Sequence, residues 1–179
     1  MSTKKPAPEA SRYRTTELAM WGDKKFLALS KPQPNGQTIW QFLLTGPDTT
    51  PIPGIVVCKP MAIAVYYDWC ESEALLAAFL KAFGEVCTAG LVEVDKKAGL
   101  MWLPGATKAH RSAKPHSPNV VLGWKKFWPE IPECSLKYKA QEALRTYVEG
   151  LGEAYGEAFA KAFGQVSPNR EQEQEQEKD

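Results

Sequence analysis

A helical pattern that changes directly into a hairpin pattern constrains the fold of this chain more than any other feature. Residues 72–90 place apolar side chains at helical spacing behind Ser72, a residue type that caps helix starts, and the pattern ends at Gly90. Residues 91–105 then alternate around a tight turn that contains Gly99. The sequence therefore predicts a helix followed at once by a two-stranded hairpin. The apolar face of this helix consists of Leu75, Leu76, Phe79, Leu80, Phe83 and Val86.

Three shorter elements precede this pair. Residues 36–46 carry apolar side chains at helical spacing, residues 55–58 are rich in β-branched side chains, and a short helix begins at Pro60. Helix, short strand, helix, helix and hairpin is the order of a winged helix-turn-helix. We therefore predict a mainly α fold with a small β-hairpin (α+β), a winged helix-turn-helix with a C-terminal helical extension. In that architecture the third helix faces the major groove, and the hairpin tip, Lys96 and Lys97, lies against phosphates.

The extension begins with Ser117 and Pro118, a favourable start for a short helix over residues 118–127. A longer helix is predicted from Ser135. The predicted organisation is a disordered basic arm (1–12), a winged-helix DNA-binding domain with a basic extension (13–134), a C-terminal helix (135–165) and a disordered acidic, Gln-rich tail (166–179).

From residue 150 the sequence repeats every four residues, which aligns four apolar side chains along one stripe: Leu151, Tyr155, Phe159 and Phe163. An exposed apolar row favours self-association, giving a homo-oligomer, or docking of a partner. The alternative is a solvent-exposed helix end that frays because its glycines weaken it.

The formal net charge of +1 hides a strongly basic segment. Between Asp95 and Glu130 there is no acidic residue, although seven basic ones occur there. Contact with DNA phosphates explains such a stretch; the alternative is a lysine-rich surface that keeps the protein in solution. The candidate DNA-binding residues are Arg12, Arg14, Lys81, Lys96, Lys97, Lys108, Arg111, Lys114, Lys125 and Lys126.

The solvent face of the third predicted helix offers Glu73, Lys81, Glu85 and Thr88, with about as many acids as bases, whereas a helix that reads base edges commonly carries Arg, Asn or Gln. Base readout and protein contact are both open for this helix. Three tryptophans lie among the cations, at Trp102, Trp124 and Trp128. Their positions in apolar patterns favour core packing over stacking on single-stranded bases.

Sequence motifs for catalysis or metal binding are absent, so we expect no catalytic residues, no metal and no cofactor. The four cysteines, Cys58, Cys70, Cys87 and Cys134, contain no CxxC pair and are expected to be buried and reduced. No apolar run is long enough to cross a membrane, and no apolar segment of the kind found in signal sequences follows the charged residues at the amino terminus. We therefore expect a soluble, cytoplasmic protein.

Three stretches resemble the amino-terminal domain of phage and prophage replication-initiation proteins of the replisome-organiser type: TIWQFLLTGPDTTPIPGIV, AFGEVCTAGLVEVDKKAGLMWLPGA and SPNVVLGWKKFWPEIPECSLK. The resemblance covers roughly residues 15–150, and its most specific pieces are Trp102-Leu103-Pro104 and the SPNVV run from Ser117. It implies a winged helix that binds double-stranded origin DNA in a bacterial host cell, with a separate region that recruits the replicative helicase or its loader. The competing interpretations are a protein-interaction module and a winged-helix transcriptional regulator.

Overall fold

The computed structural model describes residues 18–106 and 114–164. These residues form a mainly helical fold with a small three-stranded antiparallel sheet, which confirms the predicted α+β class. The helices are α1 (Lys24–Leu27), α2 (Gly36–Thr45), α3 (Met61–Tyr66), α4 (Glu73–Thr88), α5 (Pro118–Gly123), α6 (Ser135–Glu149) and α7 (Glu153–Phe163). The strands are β1 (Ile55–Val56), β2 (Glu93–Asp95) and β3 (Leu100–Trp102), and short 3-10 turns occupy Leu18–Gly22, Trp124–Lys126 and Trp128–Glu130.

Helix α4 has the ends that its sequence predicts. The Ser72 hydroxyl accepts a hydrogen bond from the Leu75 backbone N–H at 3.1 Å. At the other end Gly90 adopts φ +69°, which lets the Leu91 N–H reach the Val86 carbonyl at 3.2 Å. The predicted apolar face is wrong for one residue, Leu80, whose side chain is 56% exposed. The buried stripe centres on Phe79, Ala82, Phe83 and Val86, and Leu80 lies beside it.

Helix α2 forms where its apolar spacing predicts it, and the Asn35 side chain caps it by accepting a hydrogen bond from the Thr38 N–H at 2.9 Å. Its predicted apolar residues Ile39, Phe42 and Leu43 are buried, and α2 packs against α4. Strand β1 is shorter than predicted, ending at Val56. It pairs with β3, so the predicted two-stranded hairpin is part of a three-stranded sheet in the order β1-β3-β2.

The sheet separates two hydrophobic clusters. On one face, Val56 and Met101 pack with α2, α3 and α4. On the other face, Ile55, Leu100 and Trp102 pack with α5, α6 and α7. The alternation of side chains along β1 and β3 therefore fills both clusters, and both faces of the sheet are covered. The C-terminal helices are consequently built onto the same sheet as α4.

The single C-terminal helix predicted for residues 135–165 is wrong. Helices α6 and α7 are separated at Gly152, whose φ of +134° is a backbone conformation that a residue with a side chain rarely adopts. Helix α7 turns back to pack on α5 and α6. The chain reverses direction here because two glycines, Gly150 and Gly152, interrupt the helix.

The predicted exposed apolar row is wrong for two of its four residues. Phe159 and Phe163 are only 4% and 3% exposed, with ring centres 4.4 Å apart, and Phe163 packs edge-on against Trp128 at 5.0 Å. Leu151 and Tyr155 are half-buried. The apolar stripe of α7 therefore fills the second cluster, because the turn at Gly152 lays this face on α5 and α6. Phe159 and Phe163 are not available to a partner in this fold.

The core assignment of the three tryptophans is confirmed. Trp102, Trp124 and Trp128 are all 4% exposed or less, and none offers a face for stacking on bases. The short helix predicted for residues 118–127 ends at Gly123 and continues as a 3-10 turn, with Val121 and Trp124 buried and Val120 half-buried.

A buried lysine fixes the loop that joins the 3-10 turns to α6. Lys137 is 1% exposed, and its ammonium donates hydrogen bonds to the Ile131 carbonyl at 2.9 Å and to the Glu133 carboxylate. The same ammonium lies 5.0 Å from the centre of the Trp128 ring. Tyr138 donates its hydroxyl proton to the second Glu133 oxygen at 2.6 Å. The charge of Lys137 is thus satisfied inside the fold.

The hydrogen bonds from Lys137 and Tyr138 hold the pKa of Glu133 below its ordinary value. Because the folded-state pKa is lowered, this carboxylate stabilises the fold above its unfolded-state pKa, and that contribution is lost as the pH falls through the folded-state pKa. We expect Glu133→Gln to lower the free energy of unfolding at neutral pH, and its difference from the wild type to shrink at about pH 3. Urea unfolding at both pH values measures this, and a difference that does not change with pH contradicts it.

Candidate nucleic-acid interface

The turn of the hairpin holds two lysines in solvent. The Asp95 carboxylate accepts hydrogen bonds from the backbone N–H groups of Lys97 at 3.0 Å and Ala98 at 2.8 Å. Gly99 adopts φ +71°, and its N–H reaches the Asp95 carbonyl at 2.9 Å. This closes the turn between β2 and β3 and leaves the side chains of Lys96 and Lys97 exposed. Among the described residues, no carboxylate lies within ion-pair distance of either lysine.

A third lysine, which the sequence did not reveal as a candidate, lies beside this turn. Pairing of β1 with β3 carries the chain after β1 past Gly99, so that a Cβ added at Gly99 would lie 3.5 Å from Cγ of Lys59. Lys59 is exposed and has no ion-pair partner among the described residues. We call Lys59, Lys96 and Lys97 the hairpin basic surface. The sequence predicts a strand at residues 55–58 but not its pairing with the hairpin. A prediction of that pairing would have placed Lys59 beside this turn.

This surface adjoins the end of α4. Burial raises the pKa of the Cys87 thiol, and the nearby positive charge of Lys96 offsets only part of this rise. Burial, reinforced by the negative charge of Asp48, raises the pKa of Cys58 to about 12. Both thiols therefore remain neutral at physiological pH and do not offset the lysine charges.

The other sequence-predicted residues that the structure describes lie on elements other than the hairpin. Lys81 is exposed on α4, and Lys114 is exposed before α5. Lys125 and Lys126 are exposed, as predicted, on the 3-10 turn after α5, which packs on the opposite face of the sheet from α4. Four predicted residues lie outside the described residues: Arg12, Arg14, Lys108 and Arg111.

Successive side chains of the hairpin around β2 point to opposite sides of the sheet, as their alternating pattern predicts. Val92 and Val94 contact the first cluster, whereas Glu93 on the other side forms an ion pair with Lys139 of α6 at 2.6 Å. This pair joins β2 to α6. The hairpin is therefore held by the C-terminal helices as well as by α4, which limits the directions in which its basic turn can point.

A separate apolar groove lies near the start of the described chain. Its volume is about 330 Å³, and its walls include Trp21, Phe26, Leu29 and Tyr67. The ammonium of Lys31, at the edge of the groove, already has partners within the fold. It donates a hydrogen bond to the Tyr66 carbonyl at 2.8 Å and forms an ion pair with Asp68 at 3.0 Å. This groove offers apolar contact but no obvious catalytic constellation.

Among the helices of residues 18–106 and 114–164, none combines the length and hydrophobicity needed to cross a membrane. In the same two ranges, no three His, Cys, Asp or Glu side chains are grouped so that they could hold a metal ion. The four cysteines are free, but the prediction that they are buried is wrong, because Cys70 is exposed and Cys58, Cys87 and Cys134 are only partly buried. Compared with protein-family models, curated proteins and solved structures, the chain matches none of them.

Proposed function

We propose that this chain is a winged-helix protein that binds double-stranded DNA and acts in replication initiation of the phage or prophage type. The single observation that carries the DNA-binding proposal is the hairpin basic surface at the end of α4. Lysines in such a position bind DNA phosphates as point charges, because phosphate contacts dominate the affinity of proteins for duplex DNA.

The order of elements supports the winged-helix assignment. Helix α2, strand β1, helices α3 and α4, and strands β2 and β3 follow one another along the chain, and β3 lies between the other two strands. A winged helix uses this order to present its third helix beside a hairpin, and we assign these two roles to α4 and the β2–β3 turn. The C-terminal helices are an addition to this arrangement, covering the second face of the sheet.

The role in replication rests on the resemblance of residues 15–150 to replisome-organiser proteins. That resemblance also supports a replicative helicase or its loader as a protein partner. No catalysis is part of the proposal, since binding and recruitment need only the surfaces described above.

Direct titration tests the DNA-binding proposal. The full chain is added to a fluorescently labelled duplex of about 20 base pairs at low salt, where phosphate contacts contribute most to affinity. We expect saturable binding by fluorescence anisotropy, and weaker binding to the corresponding single strand, since the tryptophans are buried and cannot stack on bases. Absence of binding to any duplex at low salt rejects the proposal.

One set of exposed side chains favours a protein-interaction module as the second candidate. Met61 and Val65 on α3 are 39% and 63% exposed, and Leu80 on α4 is 56% exposed. Apolar side chains on these two helices suit a protein partner better than a phosphate backbone. Replacing all three by Ser separates the two candidate functions. If the variant binds duplex DNA as the wild type does, these residues are free to contact a protein partner. If a folded variant loses duplex binding, these residues contact the DNA.

A further inference from the structure

We infer that the chain binds duplex DNA of any base sequence, holding it by its phosphates, and that α4 does not read base edges. This inference rests on the proposed DNA binding and specifies its ligand. It follows from the chemistry of the exposed face of α4, all of whose residues the structure describes.

The exposed face of α4 is largely unable to form hydrogen bonds with bases. More than half of its exposed positions carry only hydrocarbon or no side chain: Ala74, Ala77, Ala78, Leu80 and Gly84. The side chains that read guanine or adenine with two hydrogen bonds are Arg, Asn and Gln, together with Lys for guanine. Helix α4 contains no Arg, Asn or Gln, and its one lysine is Lys81.

The other polar groups on this face do not replace them. Glu73 lies in the first turn of α4, where a carboxylate stabilises the positive end of the helix. The Glu85 carboxylate faces the start of α2, with an oxygen 3.7 Å from the place of a Cβ at Gly36. Both acids have structural explanations within the fold, and both repel phosphates. Only Lys81 and Thr88 remain to contact a base edge, and both are exposed.

The charge distribution directs binding to the backbone instead. The exposed face of α4 carries two acids and one base, whereas the hairpin basic surface carries three lysines. Phosphate contacts position a protein on DNA but carry no sequence information. An origin would then be selected by a bound partner, and not by α4.

Selection from a pool of random duplexes tests this inference with the full chain. Each contact that makes two hydrogen bonds to a base commonly contributes about tenfold discrimination or more against the wrong base. A protein without such contacts is therefore expected to enrich no motif. Its affinities for individual duplexes are expected to agree within about threefold. The double variant Lys81→Ala, Thr88→Val is expected to bind a random duplex with less than about a tenfold loss, because only one charge is removed.

Enrichment of a motif bound more than about tenfold better than random duplex overturns the inference. If the double variant loses that preference, α4 reads bases. If the double variant keeps it, another element reads bases. In both cases binding depends on base sequence, which contradicts the inference. Failure of the wild type to bind any duplex at low salt is a different result, because it removes the proposed function itself.

Discussion

Replacing Lys59, Lys96 and Lys97 together by Gln is expected to weaken binding to duplex DNA by about 100-fold or more at about 0.1 M salt. All three side chains are exposed at or beside the β2–β3 turn, and none has a carboxylate partner among the described residues. Their loss removes three counterion-releasing contacts, each of which contributes about 0.9 to the salt dependence of the logarithm of affinity. Fluorescence anisotropy on one labelled duplex measures the change.

A matched variant separates this local effect from the loss of overall charge. Lys24, Lys25 and Lys161 are exposed on α1 and α7, and replacing all three by Gln removes the same total charge. We expect a loss of less than about tenfold, because charges outside the contact act only through a screened field. Equal losses in the two triple variants would mean that binding follows net charge, and the hairpin would then have no special role. Circular dichroism checks that both variants remain folded.

The second large effect is expected at Gly54, which holds β1 against β3. Gly54 adopts φ +75°, and a Cβ at this position would lie 2.7 Å from Cζ3 of Trp102 and 2.8 Å from the Leu103 carbonyl oxygen. Gly54→Ala is therefore expected to lower the free energy of unfolding by about 3–5 kcal/mol, since backbone strain and core overlap act together. Urea unfolding measures this directly.

Gly84→Ala is the matched control for that substitution. Gly84 lies inside α4, and a Cβ at this position would have no neighbour within 4 Å. Alanine is expected to raise the free energy of unfolding by about 0.5–1 kcal/mol, because it restricts the unfolded chain and favours the helix. If both substitutions changed stability in the same direction and by similar amounts, the close packing of Gly54 on Trp102 would be wrong.

Local signals in the sequence were sufficient to predict several elements. The start and end of α4 depend on Ser72 and Gly90, and each acts within a few residues of its own position. The turn between β2 and β3 depends in the same way on Asp95 and Gly99. Such signals involve neighbouring residues only, so they can be identified without knowing the rest of the fold.

Contacts between distant segments could not be predicted in this way. The four-residue stripe of α7 is compatible with an exposed row or with a buried face, and only the turn at Gly152 places Phe159 and Phe163 in the second cluster. Lys59 likewise becomes part of the candidate site only when β1 pairs with β3. In both cases the decisive contact joins residues that are far apart along the chain.

The salt dependence of duplex binding tests the central claim most directly. Affinity of the wild-type chain is measured from about 0.05 to 0.3 M salt, and we expect a slope of about −3 or steeper, because three lysines at about 0.9 each account for most of that value. The triple variant of Lys59, Lys96 and Lys97 is expected to have a slope shallower by nearly the same amount. A wild-type slope shallower than about −1, or equal slopes in the two proteins, would contradict phosphate binding by the hairpin basic surface.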